Sequence, residues 1–157
     1  DFSTAAVSLK CVSPEGKIVE VTREQAQWGY RHSMMADAGY VVVEATLELS
    51  PDAKDEIQAR MDDFHARRVE KQPLEMPSAG STFKRPEGYF AGKLIQDAGL
   101  RGYKVGGAQV SEKHTGFVVN AGGATAADVC QLIADVQVRV KEEFGVELEP
   151  EVKMWGF

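Results

Sequence analysis

Residues 71 to 86 set Lys71, Lys84 and Arg85 around Gly80-Ser81, with Pro73, Pro77 and Pro86 punctuating the stretch. Proline fixes its own φ, removes a donor and biases the residue before it toward an extended shape. The stretch can therefore be neither a regular helix nor an inner strand. Rigid, shaped loops of this kind often carry sites, and Gly, Pro and Ser also build plain connectors. Read as a site, its cations would hold an anionic ligand with the Ser81 hydroxyl beside it. Two further groups admit both readings. Tyr30-Arg31 follows a short helical segment and would serve as a surface pair, and Glu149 and Glu151 flank Pro150 as solvated charges would. Ser81 has no Gly-x-Ser-x-Gly setting and His32, His65 and His114 are scattered, which does not support a Ser-His-Asp hydrolase. No His, Cys or Asp cluster has metal-ligand spacing, so no metal site is expected. Gly99, Gly102, Gly106 and Gly107 read as turns and a bulge rather than a phosphate loop.

Positioning such residues requires a folded frame, and 157 residues suffice for one domain or one domain plus an appended piece. A hydrophobic share of 43% and a charged share of 27% are ordinary for a globular protein. Nothing approaches a run of about 18 apolar residues, so no membrane span is expected. The first residues lack the basic and apolar regions of a signal peptide and an initiator methionine, which reads as a processed or truncated chain. A net charge of −6 argues against nucleic acid as partner, because phosphate backbones reward a basic face. Cys11 and Cys130 have no redox or metal spacing and read as buried thiols in a reducing cytosol.

Val7–Val12 and Ile18–Val21 read as strands joined by the turn Ser13-Pro14-Glu15-Gly16. Thr22 and Gln25 predict a capping box opening a short helix through Trp28. Tyr40–Leu49 predicts a strand, fully buried at its β-branched front and half exposed at its tail. Ser50-Pro51 predicts a helix start, with acidic residues early, Arg67, Arg68 and Lys71 late, and an apolar stripe of Ile57, Met61 and Phe64. Its basic end delivers Lys71 into the proline-rich loop. Beyond that loop come a helix over Ala91–Ala98, strands over Tyr103–Val110 and Phe117–Asn120, and a long helix opened by Thr125 and stopped by Gly145. Gly106-Gly107 reads as a bulge or bend in the first of those strands. Val152–Trp155 predicts a terminal strand. The fold class is α+β.

The blocks Gly29–Ser33, Lys71-Gln72-Pro73, Pro77–Pro86, Ala91–Gly102, Val110–His114, Phe117–Asn120, Ala124–Val129 and Leu148–Val152 together resemble the UDP-N-acetylenolpyruvoylglucosamine reductase family. They occur in family order and cover nearly the whole chain, as its C-terminal half. The direct passage from Leu49 into the helix is similar to the shorter subtype, which lacks an extra tyrosine-bearing loop. Departures are Met34-Met35, where an aromatic residue is more usual, Arg85, where another subtype has Asn, and Trp155, in place of an aliphatic residue.

The resemblance implies a flavoenzyme of peptidoglycan precursor synthesis in the cytoplasm. NADPH reduces FAD, and the reduced flavin passes hydride to C3 of the enolpyruvyl group of UDP-N-acetylglucosamine enolpyruvate. By the same resemblance Ser81 would protonate C2, while Arg31 and Glu151 would stabilise the enolic intermediate. Lys71, Arg85, Tyr30 and His114 would bind the substrate, Lys71 and Arg85 at its diphosphate or at NADPH. The implied organisation is the C-terminal part of the flavin domain over 1–49, a linking helix over 50–71 and a substrate-binding domain over 72–157, ending in a strand that returns to the active site. The family's flavin-holding glycine-rich segments lie upstream of the first residue, so weak or absent FAD binding by this chain alone is expected. Two other readings stay open: a non-catalytic UDP-sugar-binding module, and a structural piece whose open sheet edge pairs with another copy.

Overall fold

The computed structural model describes residues 2–156, and the chain divides into two compact units, one ending at Ile57 and the other beginning at Gln58. The class is α+β, as expected, with antiparallel sheet and helix in each unit. The division falls inside the long helix rather than at either of its ends.

In the first unit α1 (Phe2–Ala5) leads into β1 (Ala6–Val12), which pairs antiparallel with β2 (Ile18–Thr22) on one side and β3 (Val41–Leu47) on the other. The period-two alternation of a strand places Leu9 and Cys11 on one face, opposite Val21 and Val19 on β2. Leu9, Cys11 and Val21 form a small core with Ala26 and with Met35 of α2 (Met34–Asp37). Burial pushes the Cys11 thiol pKa up, as fits the buried thiol expected there, whereas Cys130, also expected to be buried, is only half-buried.

Two expectations fail here for identifiable reasons. Thr22 and Gln25 make the reciprocal bonds of a capping box, Thr22 N–H to Gln25 Oε1 at 2.9 Å and Gln25 N–H to Thr22 Oγ1 at 3.4 Å. The helix expected through Trp28 is nevertheless a single turn, because Gln27 adopts a left-handed φ of 45°. β3 was expected to begin buried, yet Val41, Val42 and Val43 are 62%, 45% and 56% exposed. It is an edge strand, and nothing among the described residues buries either of its faces.

α3 (Lys54–Lys71) starts later than Ser50-Pro51 indicates. Asp52 Oδ1 accepts from Ala53 N–H at 2.8 Å, and the first helical bond runs from Ile57 N–H to Ala53 O at 3.0 Å. Every residue of this helix is exposed, the Ile57, Met61 and Phe64 stripe included. Periodicity identified the stripe and said nothing about what covers it.

The second unit is a four-stranded antiparallel sheet in the order β4 (Ser78–Ser81), β7 (Phe117–Asn120), β6 (Ala108–Val110), β5 (Lys104–Val105). α4 (Ala91–Asp97) and α5 (Ala126–Phe144) pack together, and α5 lies on β5 and β6. Thr125 caps α5 in a full capping box with Asp128, and Leu132, Ile133, Val136 and Val140 deliver one buried stripe. That stripe meets Leu94, Ile95, Val110 and Val118 in the core. The strand expected over Tyr103–Val110 is a hairpin instead, with Val105 opposite Ala108 and Gly106-Gly107 as its two-residue turn. Gly106 has φ of 52°, and a Cβ on Gly107 would come within 2.3 Å of the Gly122 carbonyl. The terminal strand expected at Val152–Trp155 is absent, and Trp155 is 83% exposed. Chain pairing occurs just before it, where Pro150 bridges Phe83, because residues 149 and 151 make the backbone bonds to Lys84 and Thr82, just beyond β4.

Candidate functional site

Ser81 ends β4, one of the two edge strands of the second unit's sheet, rather than lying in a free loop. Its position agrees with the prolines, which forbid an inner strand but tolerate an edge. The β4–β7 register slips between the pairs Ser78–Val119 and Ser81–Phe117. Gly80 sits within that slip at φ 88°, with open space around its missing Cβ, so glycine is needed there for backbone conformation and not for room. Ser81 is exposed at this bend.

Thr82 is the structural hub beside it and is 2% exposed. Its N–H donates to Gly116 O at 2.9 Å, its Oγ1 accepts from Val118 N–H at 3.0 Å, and its carbonyl accepts from Glu151 N–H at 2.9 Å. The hydroxyl thus satisfies a buried amide that the slipped ladder leaves over; an orphaned one would cost about 1–3 kcal/mol. With Lys84 N–H on Glu149 O at 2.8 Å, these bonds lay residues 149–151 antiparallel to 82–84. Glu151 is half-buried directly opposite Thr82, one residue along the chain from Ser81. No local pattern announces Thr82; a β-branched hydroxyl residue between Ser81 and a buried Phe83 is its only signal.

The basic residues separate by state. Lys84 pairs with Glu149, while Arg85 lies with its Cζ 4.0 Å from the Phe90 ring centroid and its Nε donating to Tyr89 O at 3.3 Å. Lys71 is exposed at the carboxyl end of α3. Lys113 donates to the Val69 carbonyl at 2.7 Å, tying that end of the helix to the β6–β7 turn. His114 lies in the same turn, packed edge-on to Phe117 at 5.0 Å, and its Nδ1 accepts from Gly116 N–H at 3.1 Å. In the neutral ring the proton is therefore on Nε2, which is left as a donor.

In the first unit, Gly29 N–H donates to His32 O at 3.0 Å and His32 N–H to Gly29 O at 3.3 Å. Tyr30 and Arg31 are thus the two central residues of a tight turn, and Arg31 takes φ of 55°. Its guanidinium lies 5.7 Å from the Tyr30 ring centroid. An arginine in a left-handed position that favours glycine is strain of the kind that accumulates at functional sites. Both residues line an open hollow of about 750 Å³ with Trp28, Ser33 and Phe2. Trp28 Nε1 is buried with no hydrogen-bond partner among the described residues.

A glycine-rich turn joins β7 to α5, and its Ala121, Gly122, Ala124 and Thr125 amides are engaged. Asn120 Oδ1 accepts from Gly122 N–H at 3.0 Å and Ala124 N–H at 3.1 Å, and the Asp128 carboxylate accepts from Thr125 N–H at 2.9 Å. A carboxylate at that helix start disfavours a pyrophosphate there. Among the described residues there is no group of three potential metal ligands.

The sequence pattern described as "UDP-N-acetylenolpyruvoylglucosamine reductase, C-terminal domain" matches residues 72–155. Curated relatives bearing the name UDP-N-acetylenolpyruvoylglucosamine reductase include one from Agathobacter rectalis, 63% identical over 156 residues, covering 99% of this chain and 50% of the relative. Another, from Lachnoclostridium phytofermentans, is 56% identical over 149 residues, covering 95% of this chain and 48% of the relative. The solved UDP-N-acetylenolpyruvylglucosamine reductase of Thermus caldophilus superposes with a TM-score of 0.79 at 36% identity, covering 97% of this chain and 54% of that one. The chain spans about half the length of the curated relatives it matches.

Proposed function

Because the chain belongs to the UDP-N-acetylenolpyruvoylglucosamine reductase family, we propose that it serves the NADPH-dependent reduction of UDP-N-acetylglucosamine enolpyruvate, a cytoplasmic step of peptidoglycan precursor synthesis. The observation that carries this reading is the pairing of residues 149–151 with 82–84, which sets Glu151 beside the strand end that bears Ser81. The reduction adds a hydride at C3 of the enolpyruvyl group and a proton at C2. Ser81 donates that proton: its hydroxyl is a weak acid, so a rigid, exposed placement at the Gly80 bend is what makes it competent. Glu151 and Arg31 act on the enolic intermediate, the cation stabilising charge that develops on the substrate carboxylate. Lys71, Arg85, Tyr30 and His114 bind substrate, His114 through its Nε2 proton. FAD supplies the hydride when bound. None of the described residues is assigned to its pyrophosphate, since the one glycine-rich strand-to-helix turn described above is closed by Asn120 and Asp128.

The second reading is a non-catalytic UDP-sugar-binding module, which would require neither Arg31 nor Glu151. The visible absorbance of the purified chain, before and after added FAD, separates the two when followed by NADPH oxidation with the enolpyruvyl substrate. The reductase reading expects Ser81→Ala to lower kcat by about 100- to 10,000-fold with little change in KM. Undiminished turnover by Ser81→Ala would overturn the assigned role, and a colourless chain that binds UDP-sugar without oxidising NADPH would be an isolated substrate domain, inert as it stands.

A further inference from the structure

Phe90 breaks two local rules at once. It is the N-cap of α4, with φ −115° and ψ 119°, and its side chain makes no capping bond. That position favours Ser, Thr, Asp or Asn, whose oxygen accepts a free helix amide. It is also 63% exposed, although an aromatic ring gains most from burial. Neither the helix nor the core accounts for a phenyl ring here. What the ring does contact is the Arg85 guanidinium, face-on at 4.0 Å, well inside cation–π range.

Arg85 is fixed on a second side as well. Its Nε donates to the Tyr89 carbonyl, and among the described residues it has no other hydrogen bond and no ion pair. The ring and the carbonyl thus hold the guanidinium of this exposed residue on two sides and leave both η nitrogens, with their four N–H donors, without a hydrogen-bond partner among the described residues. The adjacent cation behaves differently, since Lys84 is neutralised by Glu149. We propose that Phe90 is a positioning residue that holds Arg85 as a preorganised fork for a phosphoryl group of the bound nucleotide. This inference rests on the nucleotide-sugar reading of the site. A planar fork of parallel donors matches two phosphoryl oxygens, and holding it in place beforehand removes the cost of ordering a long side chain on binding. Two ligands carry that chemistry, the substrate diphosphate and the phosphates of NADPH.

The test is calorimetric binding of UDP and of adenosine 2′,5′-bisphosphate to the whole chain and its variants. The exposure of Phe90 makes its replacement a surface change. Phe90→Ala is expected to weaken the phosphoryl probe about fivefold, the scale of one cation–π contact. Phe90→Tyr should restore binding, Arg85→Lys should not, and Phe90→Ala should add nothing in an Arg85→Ala background. A loss confined to UDP assigns the fork to the substrate diphosphate, and one confined to adenosine 2′,5′-bisphosphate assigns it to NADPH. Wild-type affinity for both probes in Phe90→Ala overturns the inference, as does an equal loss with and without Arg85. If Lys71→Ala and His114→Ala weaken UDP while Phe90→Ala does not, the inference falls and the nucleotide reading stands. A wild-type chain that binds neither probe overturns both.

Discussion

Arg31 holds a conformation that costs an L residue about 1–2 kcal/mol relative to the right-handed regions. Its φ of 55° persists because the Gly29 and His32 bonds close the turn on both sides. Glycine at this position would relieve the strain and remove the cation. Arg31→Gly is therefore expected to be about 1 kcal/mol more stable than Arg31→Ala in urea unfolding. If Arg31 has the proposed role on the enolic intermediate, both should lower reductase activity by about 100- to 1,000-fold, the effect of deleting one group that stabilises transition-state charge. Equal stability of the two variants would show that the turn does not require the left-handed form. At this scale the sequence located segments better than roles. The prolines and cations marked the Ser81 stretch, yet nothing local separated Arg85, stacked on Phe90, from Lys84, paired with Glu149. Thr82 was equally illegible, because its importance lies in three backbone partners that only the folded sheet supplies.

Among the elements, α5 illustrates how completely a local code can specify a helix. Thr125 and Asp128 predicted its start, which the fold shows, and of the expected stripe of Val129, Leu132, Ile133, Val136, Val140 and Phe144 the middle four are buried, Val129 is half-buried and Phe144 is exposed. Thr125→Ala is expected to lower stability by about 1 kcal/mol, measured by thermal or urea unfolding. The Asp128 carboxyl is held below the usual aspartate range, first by the Thr125 N–H, then by the Thr125 side chain and the Gly107 N–H, with burial opposing them. A depressed folded pKa means that the stabilisation is complete above the unfolded value and is lost as pH falls through the folded one. The stability advantage of wild type over Asp128→Asn should therefore be constant near neutrality and vanish in acid below the ordinary aspartate range. An advantage that survives there would mean that the bonds do not depend on the charge. The same local code failed where one residue changed the outcome. Gln27 ended the helix that Thr22 and Gln25 had capped, and Gly106-Gly107 folded one expected strand into a hairpin.

Across the molecule the two cores are unequal. Among the described residues the second unit's cluster has thirteen buried members against five in the first, and each large aliphatic side chain buried contributes roughly 1.5–3 kcal/mol. The slowest-exchanging amides are accordingly expected in β6, β7 and α5. Leu132→Ala, at a fully buried position, should destabilise that unit by about 2–5 kcal/mol while leaving exchange in β1 and β2 unchanged. Residue-resolved hydrogen exchange checks this, and faster exchange in β1 would show that the units unfold together. Composition, turn residues and periodicity were enough to determine the α+β class, most elements and the Ser81 stretch, whereas Arg31 and Glu151 were singled out by the family resemblance alone. Tertiary structure alone decided that β3 and the α3 stripe are exposed, that residues 149–151 pair with 82–84 in place of a strand at 152–155, and that Arg85 rests on Phe90. The physical reason is that a local pattern encodes backbone conformation and which face is apolar. Which distant segment meets that face, and in what register, depends on loop closure and ladder pairing summed over the whole chain.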